Sequence, residues 1–322
     1  MNLMDVNREF GTEDACLAEL ERVRRPDGVE CPVCGSKRVS HITRKPTAKN
    51  KHTRSFQCLE KTCKGQFSAT NGTMFHKSHI PLPVWFAAIA FLMDAKKSVS
   101  AMQLQRHLGL GSYESAWYMN HRIRKAMADP NQEQLVGTVE MDETYIGGRA
   151  KRRGGTQRNQ KPVKDKFDMV VGIKQRKGPV RLVHVETVNK KTVSDVVNKN
   201  VGSDVEWIFT DSSVVYDFAL RQDFDSRHLS VNHSIEWVVP HTDIHTNGIE
   251  SEFALFKRGL AGSWHHVSTK HLHRYLTEFS WRATLRKDAD KFGKTVKAML
   301  ESETMPYSKL IAAPFSSSGG AI

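Results

Sequence analysis

Three carboxylates fall within four positions of GTVEMDETYIGG, residues 137 to 148: Glu140, Asp142 and Glu143. The stretch otherwise reads as a β-strand, with Val139, Met141 and Tyr145 on one face. Side chains alternate along a strand, so Glu140 and Asp142 share the other face. Two acids side by side repel each other, which makes the pair either a solvated edge or a site for a cation. A second acid stands in VEWIFTDSS, where an apolar run leads into Asp211. The end of a buried strand is a usual place for a reactive side chain in an α/β sheet, although Asp before Ser212 and Ser213 also suits a turn. A third acid lies in HTNGIESEFALFKRGLAG. There Ile249, Phe253, Phe256 and Leu260 recur at helical spacing, which puts Asn247, Glu250, Ala254 and Lys257 on the opposite side. Glu250 and Lys257 fall on one face, roughly 10 Å apart along the axis. Asn247 and Glu250 fit a capping box equally well, with Asn as N-cap and Glu at N3. A Glu engaged in that way is not a free metal ligand, and spacing alone leaves both readings open.

Acids at these three places suit hard divalent cations such as Mg²⁺ or Mn²⁺, which prefer carboxylate oxygens and keep waters. Two ions about 4 Å apart can activate an attacking oxygen and stabilise a leaving one at a phosphodiester. The elements that must position the acids are also legible. FDMVVGIKQ and PVRLVHVETV read as strands joined at Arg176-Lys177-Gly178, followed by a helix over 192–201. The order is three strands, a helix, a strand ending in Asp211, another strand and a helix. That is an α/β layout, a ribonuclease H-like mixed sheet.

Four of the five cysteines cluster as Cys31-x2-Cys34 and, 23 residues on, Cys58-x4-Cys63. Two thiolate pairs at this spacing fit one structural Zn²⁺ in a ribbon, each pair in a tight knuckle and all four ligands supplied by the chain. Two buried pairs of reduced thiols are the bland alternative. Cys16 stands apart and reads as a core position on a helix over 13–24. The ribbon's Lys37, Arg38, Arg44, Lys45, Lys49, Lys51 and Arg54 either touch phosphates or solvate a loop.

Between ribbon and acids, residues 79 to 127 read as three helices. Pro83 sits near the start of the first, Ser100 or Val99 opens the second, and Ser112 caps the third after Gly109-Leu110-Gly111. Helix, glycine turn, helix is a helix-turn-helix pattern. It would offer Tyr113, Tyr118, His121, Arg122 and Arg124 to a groove; an ordinary helical bundle is the alternative. Pro130 and Asn131 mark a linker. From Arg149 to Lys166 come eight basic residues and one acid without periodicity, which predicts a mobile loop. Its Arg149, Lys151, Arg152 and Arg153 are candidate DNA contacts, as are Lys257, Arg258 and His266. His266 belongs to a cluster with His265, His271 and His273 that reads as DNA contacts or helix packing rather than a metal site.

The chain has 322 residues and a formal net charge of +13. That balance points to a polyanionic partner, most often nucleic acid. The longest apolar run, Val84 to Met93, is too short to span a bilayer. MNLMDVNREFGTEDA lacks the pattern of a signal peptide, so a cytoplasmic, nucleoid-associated protein is expected. The tail FSSSGGAI reads as disordered.

CPVCGS, VEMDETYIGGR, IFTDSS and HTNGIESEFALFKRGLAGSWHHVSTKHLHRYLTEF together resemble bacterial insertion-sequence transposases of the DDE type, the ISXO-type group with an N-terminal zinc ribbon. The resemblance covers nearly the whole chain, and its last block is the most specific. It implies an integrase-like core with Asp142 and Asp211 as the first two metal ligands. The third position maps onto Glu250, with Asn247 in the neighbouring motif position. The family's downstream Lys maps onto Lys257, which would hold a terminal phosphate as a point charge. IFTDSSVVYDF departs from the pattern in lacking the Gly that often follows the second Asp. The resemblance further implies cleavage at element ends by water, attack of the exposed 3′ hydroxyl on target DNA, and a dimer or higher assembly. The expected organisation is an N-terminal helical segment (1–28), zinc ribbon (29–72), helix-turn-helix-like DNA-binding domain (80–130), catalytic core (135–290), and a C-terminal helix with tail (291–322). The competing functions are a catalytically inactive zinc-ribbon DNA-binding regulator and a nuclease that cuts without joining.

Overall fold

The structure is a computed structural model that describes residues 1–43, 45, 54–128, 132–147, 167–232, 235, 238–240 and 242–312. The linker at 130–131, the basic run Arg149–Lys166, the ribbon's Arg44, Lys49 and Lys51, and the tail FSSSGGAI lie outside the described residues. The chain divides into two compact units, Met1–Asp129 with Lys287–Ile322, and Pro130–Arg286.

The first unit opens with helices α1 (Leu3–Glu9) and α2 (Glu13–Arg24). Thr12 caps α2 by accepting the Ala15 N–H. Cys16 is fully buried on α2, and burial, with Glu13 beside it, pushes its thiol up to about 12. A small antiparallel sheet follows: β1 (Val39–Thr43), β2 (Arg54–Cys58) and β3 (Gln66–Phe67). Three helices come next. Helix α3 (Leu82–Asp94) has Pro83 in its first turn, where a missing N–H costs nothing. Ser100 opens α4 (Ala101–Leu108) with a capping box to Gln103, and Gly109 ends it in the left-handed region at φ 62°. Ser112 caps α5 (Tyr113–Ala126).

The second unit is a five-stranded mixed sheet with helices on both faces. Its strands are β4 (Thr138–Ile146), β5 (Asp168–Gln175), β6 (Val180–Val185), β7 (Trp207–Asp211) and β8 (His228–Val231). They lie in the order β6-β5-β4-β7-β8; β4–β5 and β5–β6 are antiparallel, β4–β7 and β7–β8 parallel. Counted within the unit this is 3-2-1-4-5, the arrangement of a ribonuclease H-like fold.

Helices α6 (Lys190–Asn200) and α7 (Val214–Phe224) cover one face. There Val139, Met141, Val171 and Ile173 of the sheet meet Val193, Val197, Tyr216 and Leu220. Helices α8 (Asn247–Gly259) and α9 (Thr269–Thr284) cover the other, where Val170, Val180 and Leu182 meet Ile249, Phe253, Phe256 and Leu276. Helix α10 (Lys291–Glu301) returns to the first unit, where Phe292 stacks on Phe10, and the short α11 (Tyr307–Ile311) follows.

Three expectations shift. The helix expected over 192–201 begins at Lys190, because Asn189 accepts the Thr192 N–H and sets the start two residues earlier. Helix α7 was not anticipated. Tyr145, on the face of Val139 and Met141, is exposed at 52%, because the core under α6 and α7 ends before it, while Ile146 on the other face still packs on the core under α8 and α9.

Candidate active site and zinc ribbon

Asp142 stands in mid-β4 opposite Gly172 of β5, on the face that α8 covers. The glycine is required. A Cβ there would come within 2.5 Å of Phe253 Cζ and 2.8 Å of Ile249 Cδ1, so any larger residue would push α8 off the strand that carries Asp142. Asp211 ends β7, the neighbour of β4 in the sheet, and accepts the Ser213 N–H at 3.2 Å as α7 begins. Asp142 accepts the Glu143 N–H at 2.8 Å.

Carboxylate oxygens of Asp142, Glu143 and Asp211 all lie within 4.8 Å of one another. Glu143 points to the opposite side of the strand, where the Tyr216 hydroxyl of α7 donates to its Oε2 at 2.6 Å. Burial pushes the Asp142 carboxyl up to about 7, reinforced by Glu143, Asp211 and Glu250. Burial and Asp211 likewise raise Glu143, against the Tyr216 hydrogen bond. An acidic group that resists ionising because it is buried and has acidic neighbours is one that a divalent cation would stabilise. The donor set, all hard carboxylate oxygen, fits Mg²⁺ or Mn²⁺.

Glu250 lies on α8, close enough to add to the Asp142 shift. Its Oε1 accepts from the Thr246 hydroxyl at 2.8 Å. The capping box is not formed. Thr246, not Asn247, is the N-cap, and no side chain of the helix caps the first turn. Asn247 is exposed at the first helical position. The capping acid is instead Glu140 from β4, 2% exposed, whose Oε2 accepts the Ile249 N–H at 3.0 Å. Glu140 and Asp142 do share a face, but Glu140 is occupied there by Arg176 Nε at 2.9 Å.

Lys257, Arg258 and His266 are exposed, the first two in the last turn of α8 and the third beyond it. Arg149, Lys151, Arg152 and Arg153 lie outside the described residues. Arg122 and Arg124 require correction as DNA contacts. They are 5% and 2% exposed on the inward side of α5. The Arg122 guanidinium stacks over Trp85 at 5.1 Å and Tyr118 at 5.4 Å and donates to the His76 carbonyl. A long apolar stem and a flat cation let arginine serve as packing.

Sequence reasoning noted Glu143 but gave it no role, and it missed Tyr216. The Asp-Glu pair was one signal. The spacing of Tyr216, Ala219, Leu220 and Phe224 at i, i+3, i+4 and i+8 was the other.

In the ribbon, Sγ atoms of Cys31, Cys34, Cys58 and Cys63 lie within 4.8 Å of one another. Cys31 to Cys63 is 3.7 Å and Cys34 to Cys58 is 3.6 Å. Four sulfurs at about 2.3 Å from a tetrahedral centre stand about 3.8 Å apart, so the set fits zinc. Phe56 and Phe67 stack beside it under the Arg25 guanidinium.

Sheet order and a carboxylate cluster on adjoining strands define the second unit as a ribonuclease H-like domain with a candidate metal centre. Residues 134–284 match the ISXO2-like transposase domain and residues 11–66 the transposase zinc-ribbon domain. A Halobacterium salinarum protein of the transposable element ISH50 is 25% identical over 306 residues, 92% of this chain and 98% of that one. Among solved structures, the Mos1 strand transfer complex is 15% identical over 67% of this chain and 75% of that one, with a TM-score of 0.31. A simian T-cell lymphotropic virus intasome is 10% identical over 70% and 74%, with a TM-score of 0.25. These two domains make the chain an insertion-sequence transposase with an N-terminal zinc ribbon. Among the described residues, no helix is long and apolar enough to cross a membrane.

Proposed function

We propose that the Asp142–Glu143–Asp211 cluster with Glu250 cuts DNA at the ends of an insertion sequence and joins the freed ends to target DNA. The observation that carries this reading is the convergence of Asp142, Glu143 and Asp211 oxygens within 4.8 Å at adjoining strands. Two Mg²⁺ or Mn²⁺ ions held there would lower the barrier to phosphodiester exchange by activating the attacking oxygen and neutralising the leaving one.

Asp142 and Asp211 hold the two sides of the site. Glu250 closes it from α8, and Asn247, one turn earlier, is the alternative. In the first step water attacks the end phosphodiester; a P–O bond forms to water and the P–O bond to the 3′ oxygen breaks, leaving a 3′ hydroxyl. In the second, that hydroxyl attacks a target phosphate and displaces the target strand's own 3′ oxygen, so the number of phosphodiesters is conserved. Lys257 holds a phosphate as a compact charge, and Arg258 and His266 extend the contact along the backbone. Arg149, Lys151, Arg152 and Arg153 add non-specific phosphate attraction.

The zinc ribbon (29–72) and the α4–α5 pair within 80–130 recognise the terminal repeats. The core (135–290) cuts and joins, and two or more chains hold the two ends together at the nucleoid. The experiment is end cleavage and strand transfer on labelled terminal-repeat DNA with Mg²⁺, comparing Glu250→Gln with Asn247→Ala. Products lost only with Glu250→Gln name Glu250 as third ligand; products lost only with Asn247→Ala move the site one turn back. Cleavage without joining by the intact chain makes it a nuclease, and tight binding without either makes it a regulator.

A further inference from the structure

Both groups of one peptide bond in the first turn of α8 are held by a single cross-strand pair of the sheet. Glu140 on β4 and Lys174 on β5 are register partners. Glu140 Oε2 accepts the N–H of Ile249 at 3.0 Å, and Lys174 Nζ donates to the carbonyl of Gly248 at 3.2 Å. That N–H and that carbonyl belong to the same planar unit, Gly248–Ile249, so the pair fixes its position and its orientation together. The unit lies between Asn247 and Glu250.

The grip is itself braced. Arg176 holds Glu140 through Nε at 2.9 Å and donates to the carbonyls of Asp243 and His245, the residues that lead into α8. Lys174 also pairs with Glu252 at 2.9 Å, and Glu252, 3% exposed, binds Arg286 at 2.8 Å. Gly248 has no room for a side chain, since a Cβ would stand 2.5 Å from Glu140 Oε2. A buried carboxylate held in an ion pair does not swing aside for it.

We infer that Glu140, Lys174 and Gly248 are positioning residues that set the third metal-binding side chain of α8 against Asp142, one strand repeat from Glu140. The inference rests on the metal reading proposed above. A buried ion pair contributes little net stability compared with an apolar pair, whereas a fixed peptide plane determines where the next side chains start. The strand that carries Asp142 therefore also dictates the entry of the helix that completes the site.

The test is a Mg²⁺ titration of the intact chain without DNA, read by thermal shift, beside the Mg²⁺ dependence of end cleavage. Gly248→Ala and Lys174→Met each raise the half-saturating Mg²⁺ concentration, by about tenfold or more for Gly248→Ala, as for other outer-shell supports of metal sites. Glu140→Gln, which keeps an acceptor for the Ile249 N–H, stays closer to the parent than Glu140→Ala. Lys174→Met keeps the stem and decides the question if Gly248→Ala does not fold. A lowered melting temperature with unchanged half-saturation in Lys174→Met and Glu140→Ala would overturn the inference. Asp142→Asn separates the two claims. If it shifts half-saturation while the positioning variants do not, only the positioning fails. If it shifts nothing, the metal reading fails and takes the inference with it.

Discussion

The Tyr216 hydroxyl donates to Glu143 Oε2 at 2.6 Å, tying helix α7 to the carboxylate next to Asp142. Tyr216 is fully buried, so the bond has no water to replace it. A hydrogen bond to a charged group contributes about 1.5–3 kcal/mol. Tyr216→Phe should therefore lower stability by a corresponding amount and, by freeing Glu143, slow end cleavage at limiting Mg²⁺ while leaving DNA binding intact. Glu143→Gln should weaken Mg²⁺ binding in the same assay. Unchanged rates in both variants would remove Glu143 from the site.

The raised Asp142 carboxyl makes the metal-free chain sensitive to pH. Its pKa moves from 3.8 to about 7 by burial, with Glu143, Asp211 and Glu250 adding to it. A carboxyl raised in the folded state favours the fold while protonated, so its contribution is full below the unfolded value near 3.8. That contribution, about 4 kcal/mol at 1.36 kcal/mol per unit, is lost as pH rises toward 7. Thermal melts of the zinc-loaded chain without added Mg²⁺ should show stability falling across this window, and added Mg²⁺ should raise the melting temperature more at pH 8 than at pH 5. An equal Mg²⁺ effect at both would contradict the cluster's role.

Much of this arrangement is local in origin and legible in the chain itself. Ser100 and Ser112 announce their helices because a cap is a contact within four residues. Asp211 ends its strand because the apolar run stops there, and the stripe Ile249, Phe253 and Phe256 gives α8 its buried side. What escaped is non-local. Glu250 was readable as a cap for its own helix, but the Ile249 N–H of that first turn found an acid 109 residues away in Glu140. Arg122 looks like any basic residue on a helix until Trp85 is seen beneath it. Chain spacing cannot tell a solvated charge from one buried against a distant partner.

Gly172 should accept a larger residue only at a cost to the packing of α8. A Cβ meets Phe253 Cε1 at 2.7 Å as well as Ile249 Cδ1 at 2.8 Å, both rigidly packed. Overpacking of this kind costs about 1–3 kcal/mol. Gly172→Ala should lower the denaturant midpoint by a corresponding amount and depress activity further, since α8 is displaced from Asp142. Wild-type stability in Gly172→Ala would show that α8 is looser than its packing indicates.

The ribbon's apolar cluster is small, with Cys31, Phe56, Cys58 and Phe67 at its centre. So small a core relies on its metal, and zinc binding is largely folding free energy in such modules. One zinc per chain is expected in freshly purified protein, lost on Cys31→Ser together with sequence-specific end binding. Full zinc content in Cys31→Ser, or none in the parent, would contradict the assignment.

The proposed function requires Asp142 and Asp211 together to hold the ions that cut and join DNA. Its most direct measurement is strand transfer on labelled terminal-repeat DNA in Mg²⁺, with the intact chain beside Asp211→Asn and Asp142→Asn, at concentrations where all three bind the ends equally. Joined products are expected from the intact chain and none above background from either variant. Joining by Asp211→Asn or Asp142→Asn at the rate of the intact chain would contradict this.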